Sequence, residues 1–356
     1  MKDSIRYAVP KRSTHFDGPG TGRLSKAGIE PIRRKRFHSP LLSAALALLC
    51  LIPLGCKREQ ASQPIALTLD WKPEPEFGGF YQADLTGLFK SHGLDVVLKS
   101  AGAGAPTWQL VASKQTDFAT TAADQVLIAR SSGADVVAIF AVYQTFPQGI
   151  MVHRARGLHS IEDVFTHPGT LAAEDDAWLK YLLAKFPDPK VTITGYGSGI
   201  AAFLAKPDYS QQCFVTSEPL LAKRAGGDPQ TFLIADAGYN PYTTVLITRG
   251  EIVRDHPDRV KAMVEACREG WRQYLIDPSA ANATMGKLNT EMDAQTFKDA
   301  AAAQKPLIQT ENVPLGSMSV ERWRQLGQQL LQLKVIDKAP AAEQCFVDMD
   351  KLPGKS

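Results

Sequence analysis

At 356 residues and 44% hydrophobic content, the chain can bury one large core or two medium ones, and its length fits about two domains. The net charge of +3 is unevenly spread: residues 1–40 hold ten Lys or Arg against three acids, a balance of +7, which leaves −4 for the rest. A body with that balance lacks the basic surface that nucleic-acid binding needs, so no nucleic-acid partner is expected.

After the basic stretch, Leu41 to Gly55 is apolar and uncharged, ends in Pro53-Leu54-Gly55, and is followed by Cys56 and Lys57-Arg58. A basic region, a short apolar region and a small residue form a secretory signal, and fifteen residues fall short of the roughly 20 that span a bilayer as a helix. Leu54-Gly55-Cys56 resembles the lipobox of bacterial lipoproteins, with Pro53 where that pattern usually has Leu. Residues 1–56 are therefore expected to be a lipoprotein-type signal, and Cys56 is the lipidation candidate that would anchor the protein to a membrane facing the periplasm or cell surface. Cys50 would leave with the signal, so Cys213, Cys267 and Cys345 remain, an odd number without metal-ligand spacing. Cys267 shares a helical stripe with Val260, Val264, Trp271 and Tyr274, which predicts a buried thiol. A single disulfide among the three is open, and the pair is not specified. No cofactor or metal is expected.

Polar residues 57–64 predict a tether. Beyond it the pattern predicts strand 65–71, helix 79–91, strand 94–98, helix 107–114, strand 117–121, helix 124–132 and strand 135–143. A second series follows: strand 149–153, helix 175–186 after a short apolar strand, strand 191–195, helix 199–205, strand 213–216, helix 218–225 and strand 231–235. Strand 243–248 precedes only helices, at 257–276, 280–287, 294–303 and 317–333. Alternating strands and helices imply α/β architecture with largely parallel sheets covered on both faces. The chain is expected to build lobe one from 65–148 and 243–335, lobe two from 149–242, a two-crossing hinge between them, and a tail from 336–356.

The sharpest local signal is Leu69-Asp70-Trp71-Lys72-Pro73-Glu74-Pro75-Glu76-Phe77-Gly78-Gly79-Phe80-Tyr81, where a strand ends in a Pro-stiffened loop and two glycines open a helix. In open α/β sheets ligands sit beyond the carboxyl ends of strands, and glycines at a helix start admit a ligand to the backbone. Trp71 offers a stacking face; the alternative is that Trp71 and Phe77 cap the core and the glycines only turn the chain. Thr121 and Asp124 follow the third strand and either cap the next helix or face a ligand. Tyr143 leads into the first crossing. Of Glu174, Asp175 and Asp176, one Asp caps the following helix and Glu174 is the better ligand candidate. Glu218 before Pro219 suits a first helical turn, Asn240 and Tyr242 lie on the return crossing, and Tyr196 ends a strand. Trp271 and Trp323 fall on apolar helical stripes and read as core. The seven histidines form no spaced pair, and nucleophile elbow, Walker loop and dinucleotide fingerprint are all missing.

Several segments together resemble a family, the solute-binding proteins related to the hydroxymethylpyrimidine-phosphate synthase of fungal thiamine biosynthesis. They are Asp70-Trp71 through Gly79 and Tyr81, Gly87-Leu88-Phe89, Gly93 to Val96, Asp117-Phe118-Ala119, Gly133 to Ile139 and Thr216-Ser217-Glu218-Pro219. The resemblance implies a periplasmic-binding-protein fold whose lobes close on a ligand, with Glu218-Pro219 facing the cleft. It also implies an ABC permease as membrane partner and a thiamine-related pyrimidine as solute. The synthase of that family has a His where this chain has Phe77, and its Cys-rich segment has no counterpart here, which argues for a receptor rather than an enzyme. A monomeric receptor is expected, with Trp71, Phe77, Gly78, Gly79, Tyr81, Thr121, Asp124, Tyr143, Glu174, Tyr196, Glu218, Asn240 and Tyr242 as ligand candidates. The rivals are a pyrimidine-biosynthesis enzyme on the same fold and a ligand-binding sensor module.

Overall fold

Short apolar runs bounded by Gly, Pro and Asp become ten strands in the computed structural model, which describes residues 64–102, 105–310 and 312–349. The signal, Cys56 and all but the last residue of the tether lie outside the described residues. The strands are β1 (Ile65–Leu69), β2 (Val96–Ser100), β3 (Phe118–Thr121), β4 (Val136–Tyr143), β5 (Gln148–His153), β6 (Gly169–Ala173), β7 (Val191–Gly195), β8 (Tyr209–Phe214), β9 (Pro229–Leu233) and β10 (Thr243–Arg249). They form two five-stranded sheets, ordered β2-β1-β3-β10-β4 and β7-β6-β8-β5-β9. Every residue of β4 is buried, as expected for a strand covered on both faces.

Four strands of each sheet run the same way, as a largely parallel sheet should, and one strand in each makes it mixed. β10 lies antiparallel between β3 and β4, and β5 lies antiparallel between β8 and β9. The hinge dictates this. β4 leaves the first sheet toward the crossing and β10 comes back through it, so the two must run oppositely; β5 and β9 stand in the same relation in the second lobe.

The first lobe packs helices Gly78–Leu85, Pro257–Ile276 and Ala294–Ile308 on its sheet around a core that includes Phe77, Phe80, Trp271 and Tyr274. A second core runs through the hinge and joins Val126 and Ala138 of one lobe to Ile150 and Leu171 of the other through Phe146 and Tyr239. Trp271 and Trp323 are core residues, as their spacing predicts.

Local differences from the sequence pattern have physical causes. The helix expected over 79–91 breaks at Gly87, whose φ of 71° lies in the left-handed region. The strand expected at 213–216 runs from Tyr209 to Phe214, because its polar residues Ser210, Gln211 and Gln212 are buried under the next layer and hide its apolar signal. Residues 336–349, expected to trail as a tail, pack on the first lobe: Phe346 stacks on Trp323 at 6.0 Å and Val347 N donates to the Ala138 carbonyl at 2.8 Å.

Both crossings are clasped by one side chain. Arg322, on helix Val320–Gln332, donates Nη1 to the Gln144 carbonyl (2.6 Å), Nε to the Asn240 carbonyl (2.8 Å), and Nη2 to Asn240 Oδ1 and the Pro241 carbonyl (3.0 Å each). Its guanidinium lies 3.9 Å from the centre of the Tyr242 ring.

Candidate functional site

The carboxyl ends of β1, β4, β6 and β8 point toward the space between the sheets, which is where an open α/β sheet offers a ligand site. β1 delivers Asp70 and Trp71 there. The loop after it is stiffened by Pro73 and Pro75, and the Pro75 carbonyl accepts a bond from Gln304 Nε2 at 2.8 Å. Gln304 also accepts from the Tyr143 hydroxyl at 2.6 Å, so one buried amide ties the loop to the end of β4. Across the gap, β8 ends at Phe214, whose ring meets Tyr143 edge-on at 5.9 Å.

Four carboxylates converge in this place. Asp70 accepts from the Thr120 hydroxyl, Glu74 lies beside the Trp71 side chain, and Glu76 is half-buried beside them. Glu218 reaches in from the second lobe, held by the Tyr196 hydroxyl at 3.0 Å and by Phe214 N at 2.7 Å. Burial pushes all four upward from the usual carboxylate range. Glu74 rises to about 7, through burial first and the Glu218 charge next, while Lys72 works the other way. The Glu74, Asp70 and Glu218 charges add to the burial effect on Glu76. Lys72 is the nearby cation; it sits 3.8 Å from Glu74 and also pairs with Glu291. The arrangement crowds four acids into a low-dielectric place that resists their ionisation, so a solute that brings hydrogen-bond donors or positive charge is favoured because it stabilises their carboxylate forms.

The remaining candidates divide into three groups. Tyr196 and Glu218 are bonded to each other, and Trp71 lies partly exposed at the same place. Glu174 is exposed at the end of β6, its Oε2 accepting from Gln212 Nε2 at 3.1 Å. Asp176, next to it, caps the helix that starts at Ala177.

A second group lies at the hinge. Asp124 accepts from Gln125 N (2.8 Å) and the Tyr239 hydroxyl (3.4 Å), and burial together with the Asp176 charge lifts it to about 7. Thr121 is buried at the end of β3. Asn240 Oδ1 accepts from Phe146 N at 2.8 Å, and the Tyr242 hydroxyl accepts from Ser319 N at 3.0 Å, so both belong to the Arg322 clasp.

The third group is packed into the first lobe. Phe77 and Tyr143 are fully buried, and Tyr81 is buried as well. A Cβ on Gly78 would strike the Tyr274 ring and one on Gly79 the Trp271 ring, so these glycines let helix Gly78–Leu85 lie against helix Pro257–Ile276. Their packing role answers to the alternative raised for this loop.

Sequence reasoning missed Asp70, Glu74 and Glu76 as site residues, because acids between prolines look like a solvated loop. It missed Gln304 and Arg322 as well, and no local signal marks a side chain whose partners lie more than 80 residues away.

The family model described as NMT1/THI5 like matches residues 74–281, more than half of the chain and all of the cleft residues from Glu74 to Glu218. The chain belongs to the NMT1/THI5-like family. Among curated relatives, it is 24% identical over 230 residues to the riboflavin-binding protein RibY of Chloroflexus aurantiacus, covering 62% of this chain and 64% of that protein, just under two thirds of its length. It is 22% identical over 325 residues to a formylaminopyrimidine-binding protein of Halalkalibacterium halodurans, covering 86% of this chain and 97% of the relative. Among solved structures, the periplasmic aliphatic sulphonate binding protein SsuA from Escherichia coli superposes with a TM-score of 0.64 at 14% identity, covering 82% of this chain and 95% of that one. The two-sheet architecture is thus that of periplasmic binding proteins. No helix of the described residues is long and apolar enough to cross a membrane. Cys213, Cys267 and Cys345 are all buried and free.

Proposed function

We propose that this chain is the extracytoplasmic receptor of an ABC importer and that it captures a thiamine-related pyrimidine precursor or a similar nitrogen-rich planar solute. The observation that carries the reading is the meeting of Asp70, Glu74 and Glu76 from one lobe with Glu218 from the other, beside the partly exposed Trp71. An aminopyrimidine offers the complementary chemistry: exocyclic N–H donors, a ring nitrogen that accepts a proton, and a flat face for the indole. Family membership and two relatives named for binding nitrogen heterocycles support the same solute class. A lipid on Cys56, read from the sequence, would hold the receptor near its permease.

Thermal-shift titration tests it. The protein is unfolded and refolded to strip retained solute, then titrated with formylaminopyrimidine, hydroxymethylpyrimidine, thiamine, riboflavin and a panel of nutrient amines, sugars and sulphonates. At about 100 times its dissociation constant a true solute adds roughly 2.7 kcal/mol of stability. A shift from a pyrimidine supports the assignment; a shift from sulphonates or sugars alone overturns the solute class, since a carboxylate-lined cleft repels the first and gains nothing special from the second.

A further inference from the structure

Helix Glu218–Arg224 holds a cleft residue at one end and a bridge to the other lobe at the opposite end. Its last residue, Arg224, reaches across to the first lobe. Nη1 donates to both oxygens of Asp293 (3.0 and 2.8 Å) and Nη2 to Asp299 at 3.1 Å. Lys72, the cation beside the cleft acids, makes its ion pairs with Glu74 and Glu291 of its own lobe. Between its ends the same helix places Leu220 against the first lobe's core.

The acceptors are firmly set. Asp293 caps helix Ala294–Ile308 by accepting from Thr296 N at 2.7 Å, and Asp299 lies on that helix, accepting from Gln295 at 2.8 Å. The helix also carries Gln304, which fixes the Pro75 carbonyl and the Tyr143 hydroxyl. The planar guanidinium fork suits two carboxylates held in this way better than an ammonium would. A polar connection therefore runs from Glu218 through Arg224 and Asp293 to the loop that presents Glu74 and Glu76, alongside the apolar contacts of Leu220 and Phe214.

We propose that Arg224 is a closure latch and a positioning residue for Glu218: it holds the two lobes together before solute arrives. The inference rests on the cleft being the binding site, but the latch acts in the ligand-free protein. Because apparent affinity scales with the closed fraction, a latch that raises that fraction tightens capture without touching the solute. Its side chain is 31% exposed and its partners 63% and 43%, so salt weakens it.

The test is pulsed electron paramagnetic resonance on ligand-free protein, with spin labels on Lys190→Cys in the second lobe and Lys287→Cys in the first. Both sites are exposed, whereas Cys213, Cys267 and Cys345 are buried, and the labelled protein carries Ser in place of Cys50 and Cys56. Arg224→Ala is expected to lower the ratio of closed to open distances roughly two- to tenfold. Raising salt to about 0.5 M, where the screening length is near 4 Å, should lower the ratio in the native sequence and leave Arg224→Ala unmoved. Asp299→Asn, which spares the Asp293 cap, should fall between the two. A structural role alone would shift melting temperature without changing the distance ratio. The proposal is overturned if Arg224→Ala keeps the native distance distribution, or if salt opens both proteins equally. Neither outcome depends on which solute binds, so failure here is distinct from failure of the pyrimidine assignment.

Discussion

Glu74→Gln should make the ligand-free protein more stable at alkaline pH. Glu74 is 7% exposed and its carboxyl is lifted from 4.5 to about 7, by burial and then by the Glu218 charge. A folded-state value above the unfolded one means that the native protein binds the proton more tightly, so this group's effect is neutral near pH 4.5 and turns increasingly destabilising as pH rises to about 7. At about 1.4 kcal/mol for each pH unit of difference, the full cost reaches roughly 3 kcal/mol above pH 7. Opening of the cleft relieves the Glu218 contribution, which brings the expected gain for Glu74→Gln down to about 1–3 kcal/mol at pH 8. The amide keeps the size of the side chain, and Lys72 keeps Glu291. Urea denaturation followed by tryptophan fluorescence at pH 4.5, 6 and 8 reads the effect directly. The two proteins should match at pH 4.5 and diverge steadily above it. Curves that run parallel across the range would refute the placement of Glu74 as a buried, repelled carboxylate.

Three further outcomes follow from the packing and the hinge. Phe77→Ala empties a fully buried position and should lower stability by about 3–5 kcal/mol in denaturant titration, while the refolded protein keeps its solute preference. Gly79→Ala drives a methyl into the Trp271 ring and should cost about 1–3 kcal/mol, with a matching drop in melting temperature. Arg322→Ala strips partners from the carbonyls of Gln144, Asn240 and Pro241; amide exchange should quicken at residues 144–146, 238–240 and 242 and stay unchanged in the β6–β7 pair.

The fold was largely legible because its strands are short apolar runs and its helices carry apolar stripes, as on Pro257–Ile276, where Val260, Val264, Cys267, Trp271 and Tyr274 are all buried. The direction of β5 and β10 was not, since strand polarity is set by where the chain crosses between lobes and not by residue type. Of the site, Trp71, Tyr196 and Glu218 could be read from strand ends and a Glu-Pro helix start. Phe77, Gly78 and Gly79 drew attention for the right loop but for a different reason: their neighbours Trp271 and Tyr274 come from a helix nearly 200 residues away. Glu74 and Glu76 are raised first by burial and then by neighbouring acids, Glu218 among them, and burial that depends on the whole fold leaves no mark in a local sequence window.

Calorimetric titration of formylaminopyrimidine into the refolded protein at pH 7, beside Glu218→Gln and Trp71→Ala, decides whether the solute sits among the cleft acids. One site per chain is expected, with affinity lowered at least tenfold, about 1.4 kcal/mol, by each substitution. Binding that survives both changes undiminished would place the solute outside the carboxylate cleft and contradict that expectation.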